Sequence, residues 1–347
     1  VLGTASYDDI LEAVEKTLKG EKYLSFRPTD RLVDTGGGRI ITTGGAYEYL
    51  RIAEGCAKHC TYCVIPKVRG GYRSIPMERL LDTARQMVGE GVKELIVIAQ
   101  ETTLYGTDLY GKKSLHILLE KLCRIEGLVW IRLLYCYPEE IYPELVDTIA
   151  REPKICHYLD LPIQHCSDSI LKRMGRKTTK ADLERIITEI RERIPDMVIR
   201  TTLITGFPGE TKEDHEELMQ FVADMAFDRL GVFTYSPEED TPAAAMENQV
   251  PEEVKEQRKA ELMELQQDIS LELDQERIGE ELLVFVEGKV ADENAYVGRT
   301  YADAPGIDGY IFVNTGESLM TGDFVRVKVT GALEYDLIGE IADEYTE

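Results

Sequence analysis

The chain has no apolar run that approaches a membrane span. Its longest uninterrupted aliphatic stretch lies around residues 95–99, against the roughly 20 residues a spanning helix needs. No basic segment followed by an apolar one stands near Val1, so no secretory signal is expected, and the absence of an initial Met marks an expected fragment of a longer protein. Positive charge is also scarce. Across 347 residues, 40 Lys and Arg face 64 Asp and Glu, a net charge of −24. Such a surface repels phosphate backbones, which argues against nucleic acid as a partner and favours a basic one. Nor is there an even, spaced cysteine set for a secreted disulfide framework. Seven is an odd number, and Cys56, Cys60 and Cys63 fall within eight residues. That distribution points to metal chemistry in a reducing, cytoplasmic setting.

Apolar periodicity divides the chain into four parts. Residues 1–47 hold one short amphipathic helix, with Ile10, Leu11, Val14 and Leu18 at helical spacing, then a glycine-rich irregular stretch at 20–45. Over 48–250, apolar runs at 49–52, 95–99, 129–135, 158–163, 198–204 and 230–235 alternate with helical patterns. Six such units predict an α/β fold, a partial (βα)6 barrel with a parallel sheet. Residues 251–278 read as one charged connecting helix with a narrow stripe of Leu262, Leu265, Ile269 and Leu273. From 279 to 347 the period becomes two, and strands at 282–287, 295–299, 310–313 and 324–329 predict a small all-β, OB-like barrel. This last part carries fifteen acidic against four basic side chains, a net of −11.

The chemistry is concentrated in Cys56-x3-Cys60-x2-Cys63, directly after the first predicted strand. In βα barrels the loops at the carboxyl ends of strands carry the active site. Three thiolates hold three irons of a cubane and leave the fourth open for a reactant, whereas an electron-transfer cluster uses four. Zinc held by the same cysteines with His59, or plain structural cysteines, are the competing readings; no second cysteine hairpin supports zinc.

The triplet, with Tyr62 between its second and third cysteines, resembles the radical S-adenosylmethionine superfamily. The stretch from Arg51 to Ser74, together with Ala99-Gln100-Glu101-Thr102, Leu161-Pro162-Ile163-Gln164, Met174-Gly175-Arg176 and Thr205–Thr211, is similar to its methylthiotransferases, and most similar to the branch acting on a ribosomal protein. The resemblance spans essentially the whole chain, because this family also ends in a small β-barrel, the TRAM domain.

The resemblance implies one 4Fe–4S cluster on Cys56, Cys60 and Cys63, with S-adenosylmethionine chelating the open iron and cleaved to a 5′-deoxyadenosyl radical. It implies cofactor contacts from Tyr62 near the adenine, Gln164 and Ser167 near the ribose, Arg200 near the carboxylate, Gly206 in a tight turn, and Phe233. For each of these a structural role is the alternative: packing aromatic, loop polar group, interior ion pair, plain turn and core residue. Cys123, Cys136, Cys156, Cys166, His157 and His165 read as structural. The implied activity places a methylthio group on the β-carbon of one aspartate in small-subunit ribosomal protein twelve, with a reducing electron donor as further partner.

The family pattern also includes an upstream domain with three more cysteines for a second cluster. Residues 1–47 are expected to be its remnant and linker, so the chain shown is expected to hold one cluster and cleave the cofactor only. Two other functions compete: a transfer RNA methylthiotransferase, and a non-catalytic cluster carrier. The acidic terminal barrel speaks against RNA and for a basic ribosomal protein docking there; a carrier would need a fourth ligand.

Overall fold

The computed structural model describes residues 1–31 and 45–342; the glycine run at 36–38, and Gly44, lie outside the described residues. After a 3-10 turn at Tyr7–Asp9 comes α1 (Ile10–Leu18), and then β1 (Tyr47–Arg51), β2 (Ala53–Glu54), α2 (Ile65–Arg69), β3 (Arg73–Ser74), α3 (Met77–Gly89) and β4 (Glu94–Ile98). Next are α4 (Thr107–Tyr110), α5 (Leu115–Cys123), β5 (Trp130–Leu133), α6 (Pro143–Arg151), β6 (Ile155–Asp160), α7 (Asp168–Arg173), α8 (Lys180–Arg193), β7 (Val198–Thr205), α9 (Lys212–Met225) and β8 (Arg229–Thr234). The chain closes with α10 (Glu252–Glu276), β9 (Glu281–Lys289), β10 (Ala295–Arg299), β11 (Ile311–Asn314), β12 (Phe324–Ala332) and β13 (Leu337–Ile341).

The six predicted parallel strands form one sheet in the order β1-β4-β5-β6-β7-β8. Alternation along each strand sorts its side chains. Leu95, Val97, Ile131, Leu133, Ile199 and Leu203 face outward into the core beneath the helices, while Ile96, Trp130, Tyr158 and Val198 face inward. Burying each such side chain contributes about 1.5–3 kcal/mol. Helices α8 and α9 begin with capping boxes, Thr179 with Asp182 and Thr211 with Asp214, which satisfy first-turn N–H groups and fix where each crossover starts. Helix α10 lies on α9 and β8. Its apolar stripe is narrow because polar side chains complete the same buried face: Lys255, Arg258, Gln266, Ser270 and Asp274 are buried beside Leu262 and Ile269. Gln266 Nε2, for one, donates to Phe227 O at 2.7 Å.

The terminal strands close into a barrel, β10-β11-β13-β12-β9. It stoppers the amino-terminal end of the larger sheet. Phe285, Ala302 and Ala304 pack among the inward residues Ile96, Trp130, Tyr158 and Val198, and Lys93 Nζ donates to Gly322 O at 2.7 Å. Buried ion pairs run through this contact: Glu94 with Arg132 and Arg299, and Asp303 with Arg229. Part of the domain's acidity is therefore internal, since Asp303 and Asp308 are paired with Arg229 and Arg200 of the larger sheet.

Several elements differ from expectation. β13 and the β2–β3 ribbon are additional. β5 stops at Leu133 because Tyr135 turns into the left-handed region, φ 60°. Strand β6 lies earlier than predicted, ending at Asp160, two residues before Pro162, which has no N–H for a ladder. In α1 the predicted apolar stripe is exposed, Leu11 at 77% and Leu18 at 83%, and only Ala13 is buried.

Candidate active site

The cysteine loop, residues 55–72, is clasped at its base by the β2–β3 ladder, Ala53 opposite Ser74 and Glu54 opposite Arg73. Gly55 opens it at φ 79°, and a Cβ there would stand 2.1 Å from Gly71 O. The Gly55 N–H donates to Gln100 Oε1 at 2.7 Å, and the Cys56 N–H to Gly70 O at 3.2 Å. Gly55→Ala is expected to break this closure. The left-handed backbone alone costs about 1–3 kcal/mol, and the clash adds to it. A lowered thermal midpoint together with reduced iron uptake on anaerobic reconstitution would register the change.

The other side of the loop is held by segments distant in sequence. Thr61 N–H donates to Met174 O at 2.9 Å, its hydroxyl to Arg173 O at 2.8 Å, and Ala243 N–H to Thr61 O at 2.9 Å. Gly175, at φ 75°, lies against His59 and Cys60, where an added Cβ would reach His59 O at 3.3 Å. The motif pieces 99–102 and 174–176 are thus clamps on the cysteine loop.

Cys56 and Cys60 are buried and Cys63 is half-buried. Burial pushes the Cys56 thiol up to about 11, and also raises Cys63. A coordinating metal reverses such a shift by deprotonating its thiols outright. Lys58 N–H lies 3.4 Å from Cys56 Sγ, and the Tyr137 hydroxyl 3.6 Å from Cys60 Sγ. Among the described residues no three Cys, His, Asp or Glu side chains are gathered to hold a single metal ion. A cubane takes one thiolate at each of three irons. Three thiols on one pinned loop, with N–H and O–H groups near their sulfurs, fit such a cluster.

Glu101 stands in the Ala99–Thr102 segment, whose spacing assigns it no role. It is wholly buried, which pushes its carboxyl up to about 7. One oxygen accepts from Thr103 N–H at 2.9 Å, and the other has no partner. Lys58 and Tyr137 carry no local signal in the sequence; they matter through where the loops after β2 and β5 meet.

The expected cofactor residues separate into two groups. Tyr62 lies beside the cysteines and packs edge-on to Phe207, ring centroids 6.4 Å apart. Gln164, at φ 72°, bridges to β7 through its N–H to Thr202 O at 2.9 Å and its carbonyl from Ile204 N–H at 2.8 Å. Phe233, weighed as core, is 60% exposed on β8. The remaining three make the kind of structural contact that was the alternative for each. Ser167 is buried and its hydroxyl is engaged by Asp214 at 2.5 Å. Arg200 is tied to Asp160 at 2.8 Å and to Asp308 of the terminal barrel at 3.3 Å, the interior ion pair that was its alternative. Gly206 faces α10, where a Cβ would meet Lys255 Cγ at 2.2 Å.

Comparison with known proteins shows what the chain is similar to. Residues 50–222 match the radical SAM superfamily and residues 278–342 the TRAM domain. The chain is 60% identical over 339 residues to the ribosomal protein uS12 methylthiotransferase RimO of Lachnoclostridium phytofermentans, covering 98% of this chain and 77% of that one. The chain belongs to the RimO family. It is also 50% identical to the RimO of Clostridium botulinum, over 100% of this chain and 78% of that one, and 48% identical to that of Clostridium tetani, over 99% and 77%. Membership in the RimO family makes it a radical SAM protein, which implies a 4Fe–4S cluster and S-adenosylmethionine. The four cysteines outside the loop, Cys123, Cys136, Cys156 and Cys166, are buried, three of them in the main core and Cys156 in the contact with the TRAM barrel. His165 is buried with its Nδ1 accepting from Ser167 N–H at 3.0 Å, and burial holds it near 3, a neutral structural imidazole.

Proposed function

We propose that the chain cleaves S-adenosylmethionine at one 4Fe–4S cluster held by Cys56, Cys60 and Cys63, in the service of methylthiolating the β-carbon of an aspartate in ribosomal protein uS12. The observation that carries this is the three-thiol loop, clamped by Gln100, Met174 and Gly175 at the carboxyl end of the parallel sheet. When bound, the cluster supplies the electron that splits the cofactor and frees a carbon radical strong enough to take hydrogen from an unactivated position.

The chain's own residues hold and shield that chemistry. The β2–β3 clasp fixes the thiols relative to the sheet. Tyr62, Gln164 and Phe233 are the proposed cofactor contacts: Tyr62 through its place in the cysteine loop, Gln164 through a left-handed backbone held at both ends, Phe233 through an exposed ring on β8. Ser167, Arg200 and Gly206 act one layer out, fixing α7, the base of the sheet and the seat of α10. The TRAM barrel closes the end opposite the thiols, so a substrate side chain enters from the cysteine-bearing mouth. The TRAM domain's remaining acidic surface steers a basic ribosomal protein toward the molecule, in the cytoplasm, where a reducing donor is at hand.

The test is anaerobic incubation of the reconstituted protein with S-adenosylmethionine and reductant, beside uS12 and bulk transfer RNA, followed by mass analysis. Formation of 5′-deoxyadenosine, with any methylthio gain confined to uS12, is the expected result. A gain on RNA would overturn the substrate, and a cluster whose spectrum ignores S-adenosylmethionine would favour the carrier.

A further inference from the structure

We infer that Tyr137 is a positioning residue for the cluster, its hydroxyl donating a hydrogen bond to the Cys60 sulfur and so setting how readily the cluster accepts an electron. This rests on the reading of Cys60 as a cluster ligand. Tyr137 belongs to the connection after β5, two βα units on from the cysteine loop, yet its hydroxyl is 3.6 Å from Cys60 Sγ. A ligating cysteine carries no proton, so between these two atoms only the phenol can donate.

The surroundings of the ring reinforce that role. The Arg176 guanidinium lies 4.3 Å from the Tyr137 ring centroid and Lys58 Nζ 5.2 Å from it. Cations over an aromatic face draw on its electron density, which makes the attached O–H a better donor. The two cations are not equivalent. Lys58 is matched by Glu139 and Glu140. Arg176 is 1% exposed in its side chain, reaches Pro162 O at 3.1 Å and Glu139 at 3.4 Å, and has Nε and Nη1 buried without a partner. A buried guanidinium only partly compensated, and a hydrogen bond onto a ligating sulfur, act in one direction. Both stabilise the added negative charge of the reduced cluster and raise its potential. Gly175, packed against His59 and Cys60, places Arg176 there, which accounts for the Met174-Gly175-Arg176 segment as a unit.

The experiment compares wild type, Tyr137→Phe and Tyr142→Phe after anaerobic reconstitution. Each is assayed for iron and sulfide and then titrated by potential with the reduced cluster followed by electron paramagnetic resonance. Tyr142 is the control, since its hydroxyl lies 3.0 Å from His116 Nδ1 and serves no cysteine. Tyr137→Phe is expected to keep its iron and sulfide, to titrate at a more negative midpoint, and to shift an iron–sulfur stretching band in resonance Raman; Tyr142→Phe is expected to match wild type. An unchanged midpoint in Tyr137→Phe overturns the inference. So does loss of the cluster from that variant alone, which would make the residue a structural support. If wild type itself takes up no cluster, the failure lies with the cluster reading.

Discussion

Alanine at Cys56, Cys60 or Cys63 is expected to leave a folded protein that binds little or no iron, lacks the broad visible absorbance of a cluster, and forms 5′-deoxyadenosine only at background. Folding should survive because the loop is closed by contacts that do not use sulfur: Gly55 to Gln100, Thr61 to Met174, Ala243 to Thr61. Chemistry should not survive, since with two thiolates a third iron has no ligand. The other cysteines supply the contrast. Cys123→Ala and Cys156→Ala remove buried sulfurs from packed surroundings, at a cost of about 1–2 kcal/mol, and should keep full cluster content. Iron and sulfide analysis of the five variants decides the matter, and a loop variant that retains the wild-type cluster would displace that cysteine from the ligand set.

The grouping of three cysteines on one loop, apart from four that stand singly, is legible in the sequence, and the reason is physical. Ligand spacing within one loop is local information, as is the alternation of apolar runs that predicted the six parallel strands and the OB-like barrel. What local pattern does not carry is which loops meet. Gln100, Met174 and Gly175 stood in recognisable segments, but their common target, the cysteine loop, becomes visible only in three dimensions. Arg200 shows the converse. A lone arginine on a sheet strand suits a cofactor carboxylate as well as an ion pair, and the partner that separates the two, Asp308, comes from another domain. The connecting helix is as expected, but its narrow apolar stripe does not show that polar side chains complete its buried face, because partners such as Phe227 O for Gln266 and Glu210 for Arg258 lie far off in sequence.

The joint between the two domains is where a single conservative change should cost the most stability. Glu94 is completely buried and splits its carboxylate between two arginines: Oε1 to Arg132 Nε at 2.9 Å, on the neighbouring strand β5, and Oε2 to Arg299 Nη2 at 2.7 Å, at the end of β10. Both arginine side chains are fully buried too. Burial pushes the Glu94 carboxyl up, but Arg299 and Arg132 together outweigh it and hold it below its ordinary 4.5. Glu94→Gln keeps the shape and removes the charge. Arg299 then keeps Glu287, while Arg132 is left with the carbonyls of Thr300 and Tyr301. Leaving a buried ion without its partner costs about 3–5 kcal/mol, read as a lower denaturant midpoint. Because the lost group spans the seam, the TRAM barrel should also melt separately from the larger sheet. The sign with pH follows from the lowered carboxyl. The wild-type advantage over Glu94→Gln is present above pH 4.5 and fades as pH falls through the folded-state value, so the two midpoints should converge in acid. Equal midpoints at neutral pH would mean that apolar contacts such as Phe285 and Ala302 against Trp130, not the ion pairs, hold the domains together.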